Sequence, residues 1–201
     1  MLAYARDLPN CMTLAGLCCG MLAIYFASNE SYSAAMIALL WAAFFDWFDG
    51  PVAKRMQGRG TEFKAFGAQL DSLADLVSAG VAPAFILLSL GSFHPVFIAG
   101  ALYLVCAGTI RLAYFNIHGL REDGTYSGVP IGLNIILMPL IFLLHGSIGM
   151  PLFQWLVCIT VILGATLNIA PIRFAKLTGA WYVAVACFVL ILSVYYLVQL
   201  L

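Results

Sequence analysis

The sequence predicts an all-α protein, a polytopic membrane helix bundle of about six to eight transmembrane helices with a polar active-site cavity that faces the cytoplasm. Hydrophobic residues make up 64% of the chain and charged residues 9%, and the mean hydropathy is +1.02. Soluble domains are only about half apolar, so this composition excludes a single soluble core. We expect one transmembrane domain over residues 1–201.

Seven apolar runs define the expected helices in chain order. They cover residues 12–28, 32–50, 66–91, 95–117, 128–146, 150–169 and 178–200. Each has about the length that a membrane-spanning helix needs. Short turns follow the first, third and fifth runs, and longer polar segments follow the second, fourth and sixth. Because consecutive spans run in opposite directions, we expect the short turns and the long segments on opposite sides of the membrane.

The basic residues orient the bundle. A cytoplasmic N-terminus puts every Lys and Arg on the cytoplasmic side: Arg6, Lys54, Arg55, Arg59, Lys64, Arg111, Arg121, Arg173 and Lys176. The positive-inside rule favours this orientation, in the cytoplasmic membrane with the active face toward the cytoplasm. The formal net charge is zero, which argues against a nucleic-acid partner because that would need a basic surface.

Four aspartates stand out in this apolar chain. Asp46 and Asp49 are three residues apart at the end of the second run, and Asp71 and Asp75 are four apart near the start of the third. Both spacings place the two side chains on one helix face, and the single loop between the two helices makes them an antiparallel hairpin. Four carboxylates close together repel unless a cation lies between them. The two pairs therefore indicate a two-metal site for phosphoryl chemistry.

Small and basic residues surround the aspartates. Gly50, Ala53 and Gly67 alternate with them along the chain, and small side chains let a bulky ligand approach the helix backbones. The connecting loop supplies cations for phosphate, namely Lys54, Arg55, Arg59 and Lys64. Metal ligands, small residues that admit a ring and cations that bind phosphate together indicate a site for a nucleotide diphosphate.

The stretch DWFDGPVAKRMQGRGTEFKAFGAQLDSLAD, residues 46–75, resembles the signature of the CDP-alcohol phosphotransferases, DxxDGxxAR, a spacer and GxxxDxxxD. Two features depart from the common form. The arginine after Ala53 is Lys54 here, with Arg55 next, and the spacer before Gly67 is longer. The resemblance implies a single CDP-alcohol phosphotransferase transmembrane domain and leaves open whether Lys54 or Arg55 contacts phosphate.

The same resemblance implies roles for the signature residues. Asp46, Asp49 and Asp71 would bind divalent metal, Mg or Mn, as two ions. Asp75 would complete the metal site and act as the catalytic general base. The implied nucleotide-binding residues are Asp46, Gly50, Ala53, Lys54, Arg55, Gly67 and Asp71. The resemblance also implies a homodimer.

Segments that extend beyond the signature narrow the choice of acceptor alcohol. FGAQLDSLADLVSAGVAPA, then IRLAYFN and YSGVP, resemble the bacterial and archaeal membrane-type phosphatidylserine synthases. That likeness implies transfer of a phosphatidyl group from the membrane lipid CDP-diacylglycerol to the hydroxyl of L-serine, giving phosphatidylserine and CMP. Inositol phosphate, glycerol phosphate or choline would use the same metal site. A phosphorylated acceptor would need further cations, which are sparse on this face, so a small amino-alcohol is favoured.

Three polar residues outside the signature are candidates for binding the acceptor or a phosphate. Arg111 lies near the cytoplasmic end of the fourth run, at the depth of the aspartates, where a guanidinium can bind a carboxylate or phosphate. The alternative is a side chain that only reaches toward the interface. Asn10 and Thr13, at the start of the first run, are placed either to contact the diphosphate or to cap the helix.

A small proton- or cation-coupled transporter is the leading alternative from a different class. Aspartates in membrane helices also build ion pathways. Transporters favour sites near the middle of the membrane and often contain internal repeats or broken helices. Here the carboxylates gather toward one face and the two halves show no evident repeat, so the sequence favours the enzyme.

Overall fold

The structure, a computed structural model, describes residues 2–56 and 58–201. Its α-helices are α1 (Leu2–Ala5), α2 (Leu8–Ser28), α3 (Tyr32–Arg55), α4 (Thr61–Asp75), α5 (Ala82–Leu90), α6 (Pro95–His118), α7 (Asn134–Phe142), α8 (Met150–Ile169) and α9 (Ala180–Leu200). A short antiparallel pair joins β1 (Tyr126–Ser127) to β2 (Arg173–Phe174). Six helical stretches are long and apolar enough to cross a membrane: α2, α3, α4 with α5, α6, α8 and α9. The predicted all-α bundle is confirmed, and the chain is an integral membrane protein.

The fifth apolar run is not the full-length helix that the sequence predicts. Its helical part is a 3₁₀ turn, Ile131–Leu133, continued by α7, and it is shorter than the six long helices. Gly128 has a φ of 77°, outside the helical region. Pro130 fixes the backbone just before the turn and has no amide hydrogen. At the other end, Gly146 has a φ of 83°. Hydropathy alone does not register these breaks.

The segment that contains α7, residues 131–145, nevertheless reaches from one end of the bundle to the other. At one end, a Cβ on Gly132 would lie 3.2 Å from Asp46 Oδ2. At the other, the His145 ring lies 5.9 Å from the ring of Tyr32, at the start of α3. The segment therefore runs beside α3 from one end to the other. The alternation of short turns and long polar segments is kept.

α4 and α5 are joined without a break by a π-helical segment, Leu76–Val81. Pro83 has no amide hydrogen to donate to the Ala79 carbonyl four residues earlier. That carbonyl accepts a hydrogen bond of 3.4 Å from Asn134 Nδ2, which also lies 3.2 Å from Asn168 Oδ1. Such π-helical segments are rare in proteins, and those that occur are often found near functional sites. Here the π-helical segment begins directly after Asp75, and the Asn134 side chain links it by hydrogen bonds to α7 and α8.

Small residues let α2 pack closely against its neighbours. A Cβ on Gly20 would lie 2.8 Å from the Cα of Ser78 in the π-helical segment. One on Gly16 would lie 3.3 Å from the Cβ of Phe45 on α3. Glycine removes these clashes. The close approach brings the start of α2 against the ends of α3 and α4 that carry the aspartates.

α9 packs on α3 and leaves most of its apolar surface exposed. Its buried residues are Val185, Val189, Leu192 and Tyr196. The Tyr196 hydroxyl donates a hydrogen bond of 2.5 Å to the Pro139 carbonyl oxygen of α7. An exposed apolar face of this length is expected where a helix contacts lipid.

Candidate active site

Four aspartates lie on the C-terminal halves of α3 and α4, and we call them the aspartate cluster: Asp46, Asp49, Asp71 and Asp75. One carboxylate oxygen from each of Asp46, Asp71 and Asp75 lies within 4.8 Å of the others. Spacings of three and four residues turn each pair toward the partner helix. The antiparallel hairpin thus brings the two pairs to one point.

Asp49 is buried, and a partner on α2 orients it. Thr13 Oγ1 lies 2.5 Å from Asp49 Oδ2 and 3.1 Å from the Pro9 carbonyl oxygen. A hydroxyl has one hydrogen, so Thr13 donates it across the shorter contact to the carboxylate. Both side chains are almost fully enclosed. Thr13 therefore fixes the direction in which Asp49 presents its other oxygen.

The chemistry of the aspartate cluster fits a divalent cation. Its donors are carboxylate oxygens, which Mg²⁺ and Mn²⁺ prefer. Within residues 2–56 and 58–201, the ion pairs are Arg59 with Asp7 and Arg173 with Asp123, so no Lys or Arg neutralises the cluster by direct contact. Partly buried carboxylates without counter-charges repel one another, and a bound cation removes that repulsion. The residues present are therefore suited to a metal ion.

A cavity of about 330 Å³ opens beside the aspartate cluster. This volume lies in the range of small-molecule sites. All four aspartates line it, and other residues of α3, the 3₁₀ turn before α7, α6, α9 and the segments around β1 and β2 form the rest of its wall. The cavity thus joins acidic, basic and aromatic surfaces in one space.

Arg111 contributes an unpartnered cation to this cavity. The residue is 5% exposed, and its Nε has no hydrogen-bond acceptor in the part of the chain that the structure describes. The guanidinium carbon lies 5.2 Å from the centroid of the Phe115 ring and 5.6 Å from that of Tyr126. Aromatic faces stabilise a guanidinium, but they leave its N–H donors free. A buried donor of this kind requires an acceptor, which an anionic ligand supplies.

Two lysines line another part of the cavity wall. Lys54, at the end of α3, and Lys176, after β2, both face the cavity. Burial and the nearby Lys54 ammonium lower the pKa of Lys176. Burial raises the pKa of the Tyr126 phenol, so its hydroxyl stays protonated beside Arg111. These groups give the cavity three cations, Lys54, Arg111 and Lys176.

The other residues of the expected nucleotide-binding group divide between the cavity wall and positions away from it. Gly50 lines it, but Ala53, Arg55 and Gly67 do not. The two adjacent basic residues are both exposed, and Lys54 lines the cavity whereas Arg55 does not.

Neither Asn10 nor Thr13 lines the cavity. Thr13 contacts Asp49, as described above. Asn10 is 1% exposed; its Nδ2 donates to the Tyr4 carbonyl oxygen at 2.8 Å and its Oδ1 accepts from Arg59 Nη2 at 2.8 Å.

Sequence reasoning missed the part of the cavity wall that comes from residues 126–182. Tyr126, Phe174, Lys176 and Tyr182 all line the cavity. None of these four residues is among the site candidates that the sequence indicates. Their approach depends on the pairing of β1 with β2, in which Tyr126 lies opposite Phe174. Strands of two residues are too short for a periodic signal.

A model of the CDP-alcohol phosphatidyltransferase family matches residues 6–167 of the 201. The chain belongs to this family. The resemblance of the signature stretch is thereby confirmed. In this CDP-alcohol phosphatidyltransferase, the aspartate cluster, Lys54 and Arg111 lie within the matched residues, whereas Lys176 and Tyr182 lie beyond them.

Curated relatives with printed functions are also similar to this chain. The CDP-diacylglycerol–serine O-phosphatidyltransferase of Mycobacterium tuberculosis (strain ATCC 25618 / H37Rv) is 41% identical over 120 residues, which cover 59% of this chain and 40% of the relative. The enzyme of the same name from Mycobacterium leprae (strain TN) is 35% identical over 182 residues, which cover 85% of this chain and 58% of the relative. The archaetidylserine synthase of Methanothermobacter thermautotrophicus is 36% identical over 126 residues, which cover 62% of this chain and 52% of the relative. The chain thus spans about half the length of these relatives.

Proposed function

We propose that this CDP-alcohol phosphatidyltransferase transfers a phosphatidyl group from CDP-diacylglycerol to the hydroxyl of L-serine, giving phosphatidylserine and CMP. The observation that carries the proposal is the buried, unpartnered Arg111 guanidinium in the cavity that the aspartate cluster also lines. Family membership supports the reaction class, and the printed names of the relatives support a serine acceptor. We take residues 1–201 as one catalytic domain.

The aspartate cluster would hold the metal, with Mg²⁺ or Mn²⁺ present as two ions. Asp46, Asp71 and Asp75 supply the oxygens that lie within 4.8 Å of one another, and Asp49 supplies a further carboxylate oriented by Thr13. When bound, the ions neutralise the CDP diphosphate and make CMP a better leaving group.

The donor is held by the ends of α3 and α4. Lys54 faces the cavity and binds a diphosphate oxygen. Among residues 2–56 and 58–201, no atom lies within 4 Å of the position that a Cβ on Gly50 would take, so its backbone offers open space to the nucleotide. We assign Ala53, Arg55 and Gly67, which lie on the same two helices, to the same nucleotide-binding group.

Asp75 takes the proton in the transfer step. The serine hydroxyl oxygen forms a bond to the phosphorus that carries diacylglycerol, and the bond from that phosphorus to the CMP oxygen breaks. Asp75 accepts the hydroxyl proton, which makes the attacking oxygen more nucleophilic. Its position beside Asp46 and Asp71 keeps the base next to the reacting phosphate.

Arg111 binds the acceptor. Its free N–H groups pair with the serine carboxylate, and the rings of Phe115 and Tyr126 hold the guanidinium in place. A two-point contact of this kind directs the serine hydroxyl toward the aspartate cluster across the cavity.

The basic residues support a site that faces the cytoplasm. The cavity lies at the end of the bundle that carries Lys54, Arg111 and Lys176, and the positive-inside rule puts such an end in the cytoplasm. We propose the cytoplasmic membrane as the location, and a homodimer as the assembly on the strength of the family resemblance.

The test measures CMP release by the purified protein in detergent with CDP-diacylglycerol and Mg²⁺ or Mn²⁺. Serine, inositol phosphate, glycerol phosphate, choline and no acceptor are compared. Stimulation by serine alone supports the proposal. Stimulation by another alcohol overturns the acceptor and keeps the reaction class, whereas no metal-dependent release with any of them overturns the class.

One observation favours a second acceptor class. Lys176 adds a cation beside Lys54 on the cavity wall, and a phosphorylated alcohol would use such a pair. Inositol phosphate and glycerol phosphate are therefore the acceptors against which serine is most usefully compared.

A further inference from the structure

Arg59 is held in a buried position beside the aspartate cluster. It lies in the connection between α3 and α4, and its guanidinium donates to two acceptors at the start of α2. Its Nε pairs with Asp7 Oδ2, and its Nη2 donates to Asn10 Oδ1 at 2.8 Å. The Arg59 and Asp7 side chains are only 8% and 7% exposed. This ion pair plays no part in the chemistry described above.

The guanidinium covers Gly67 on α4. A Cβ on Gly67 would lie 2.8 Å from Arg59 Nη2 and 2.8 Å from Asn10 Oδ1. The other signature glycine, Gly50, faces open space instead. The two glycines therefore differ in this structure, since one surface is open to a ligand and the other is closed by a side chain.

The covered surface adjoins the metal-binding face. Gly67 and Asp71 are four residues apart on α4, so they share a face and lie about 6 Å apart. A nucleotide whose diphosphate lies at Asp71 extends along that face onto Gly67. The Arg59 guanidinium fills the space that the nucleotide would take.

The flanking residues give Arg59 freedom to move. Gly58 has a φ of 78°, and neither it nor Gly60 has an atom closer than 3.9 Å to the position of an added Cβ. A Gly-Arg-Gly sequence with open surroundings changes its backbone angles at small cost. Arg59 is therefore held mainly by its side-chain contacts to Asp7 and Asn10.

We propose that the Asp7–Arg59 pair is a latch that closes the nucleotide-binding face of α4 in the empty protein and opens when a cytidine nucleotide binds. The proposal rests on the proposed function, because it takes the nucleotide to lie on Gly67. A ligand that binds only the open state loses affinity in proportion to the fraction of protein that is open. An open fraction of about 10% lowers the apparent affinity about tenfold.

The first test compares CMP binding in the presence of Mg²⁺ by titration calorimetry for the wild type, Asp7→Asn and a control. Asp7→Asn removes the ion pair and leaves Arg59 in place. It is expected to bind CMP about tenfold more tightly than the wild type. Glu62→Gln is the control, because it removes a nearby carboxylate that accepts a 2.7 Å hydrogen bond from Tyr4 and lies outside the latch.

The direction in which the CMP affinity of Asp7→Asn changes decides the outcome. If Asp7→Asn binds CMP as weakly as the wild type or more weakly, the latch is overturned, and the Asp7–Arg59 pair either stabilises the fold or contacts the nucleotide directly. The proposed function is kept in that case as long as the wild type binds CMP. Tighter binding by Glu62→Gln to the same extent also overturns the latch, because the effect would then not belong to the Asp7–Arg59 pair. A wild type that does not bind CMP overturns the proposed function and the latch with it.

A second test uses the wild type and so does not depend on a variant that folds. An arginine-specific dicarbonyl reagent is applied with and without CMP and Mg²⁺, and modification of Arg59 is followed by peptide mass spectrometry. The latch predicts slow modification in the empty protein and several-fold faster modification with CMP. Unchanged or slower modification with CMP overturns it. Arg121, which is exposed, serves as the internal reference.

Discussion

Replacing Thr13 by valine tests how the aspartate cluster is organised. Valine keeps the shape of threonine and removes the hydroxyl that lies 2.5 Å from Asp49 Oδ2. A hydrogen bond to a charged, buried group contributes about 1.5–3 kcal/mol, which corresponds to roughly ten- to hundredfold in an equilibrium constant. Loss of the partner that orients a metal-binding carboxylate costs about the same factor in metal affinity. We therefore expect Thr13→Val to bind divalent metal at least about tenfold more weakly.

The assay is direct binding of Mn²⁺, read from the electron paramagnetic resonance signal of the free ion, together with the Mg²⁺ concentration that gives half-maximal activity. Both are expected to shift in the same direction. Thr13→Ser keeps the hydroxyl and is expected to bind metal almost as well as the wild type. Thr109→Val is the matched control, because the Thr109 hydroxyl bonds only to the Val105 carbonyl oxygen of its own helix, at 2.8 Å.

Two results would refute this reasoning. If Thr13→Val bound Mn²⁺ as tightly as the wild type, Asp49 would not need its partner or would not contribute to the metal site. If Thr13→Ser were as impaired as Thr13→Val, the methyl group rather than the hydroxyl would matter, and the role assigned to the hydrogen bond would be wrong.

Three further predictions concern the proton acceptor, the acceptor site and the donor site. Asp75→Asn should nearly abolish turnover while CMP binding stays measurable by calorimetry, because the amide cannot take the hydroxyl proton; retention of most of the activity would show that another group is the base. Arg111→Lys should raise the KM for serine about tenfold or more with little change in CMP affinity, since lysine loses the planar pair of donors; an unchanged KM would place the serine carboxylate elsewhere. Lys54→Ala should weaken CDP-diacylglycerol binding more than Arg121→Ala does, because Lys54 lines the cavity; equal effects in kinetic titrations would move the phosphate contact away from Lys54.

The sequence predicts the site best where charged residues recur at helical spacing in an apolar segment, because burying those charges without a ligand would cost much free energy. Asp46 with Asp49, and Asp71 with Asp75, are placed together by helical periodicity, and their charges would be unfavourable there without a ligand. The six long helices follow from hydropathy and length alone. These features need no knowledge of tertiary contacts.

The sequence is silent where the fold depends on contacts between distant residues. The π-helical segment after Asp75 depends on Pro83 and on the hydrogen bond from Asn134, which is 55 residues from Ala79. Thr13 and Asp49 are 36 residues apart. The partner of a single polar side chain at that distance depends on packing, which periodicity does not encode.

The shortened fifth helix has a related cause. An average over an apolar window is insensitive to a positive φ at Gly128 and to the missing amide hydrogen at Pro130. The predicted direction of that segment is therefore correct, and the predicted length of its helix is wrong.

The central claim is tested most directly by following isotope-labelled serine into lipid. The purified protein is incubated with CDP-diacylglycerol, ¹³C-labelled L-serine and Mg²⁺ or Mn²⁺, and the products are measured by mass spectrometry. The account predicts labelled phosphatidylserine and CMP in equal amounts, and neither product when the metal is chelated or when Asp71 is replaced by asparagine. CMP without labelled lipid, or labelled lipid that forms equally well without metal, would contradict it.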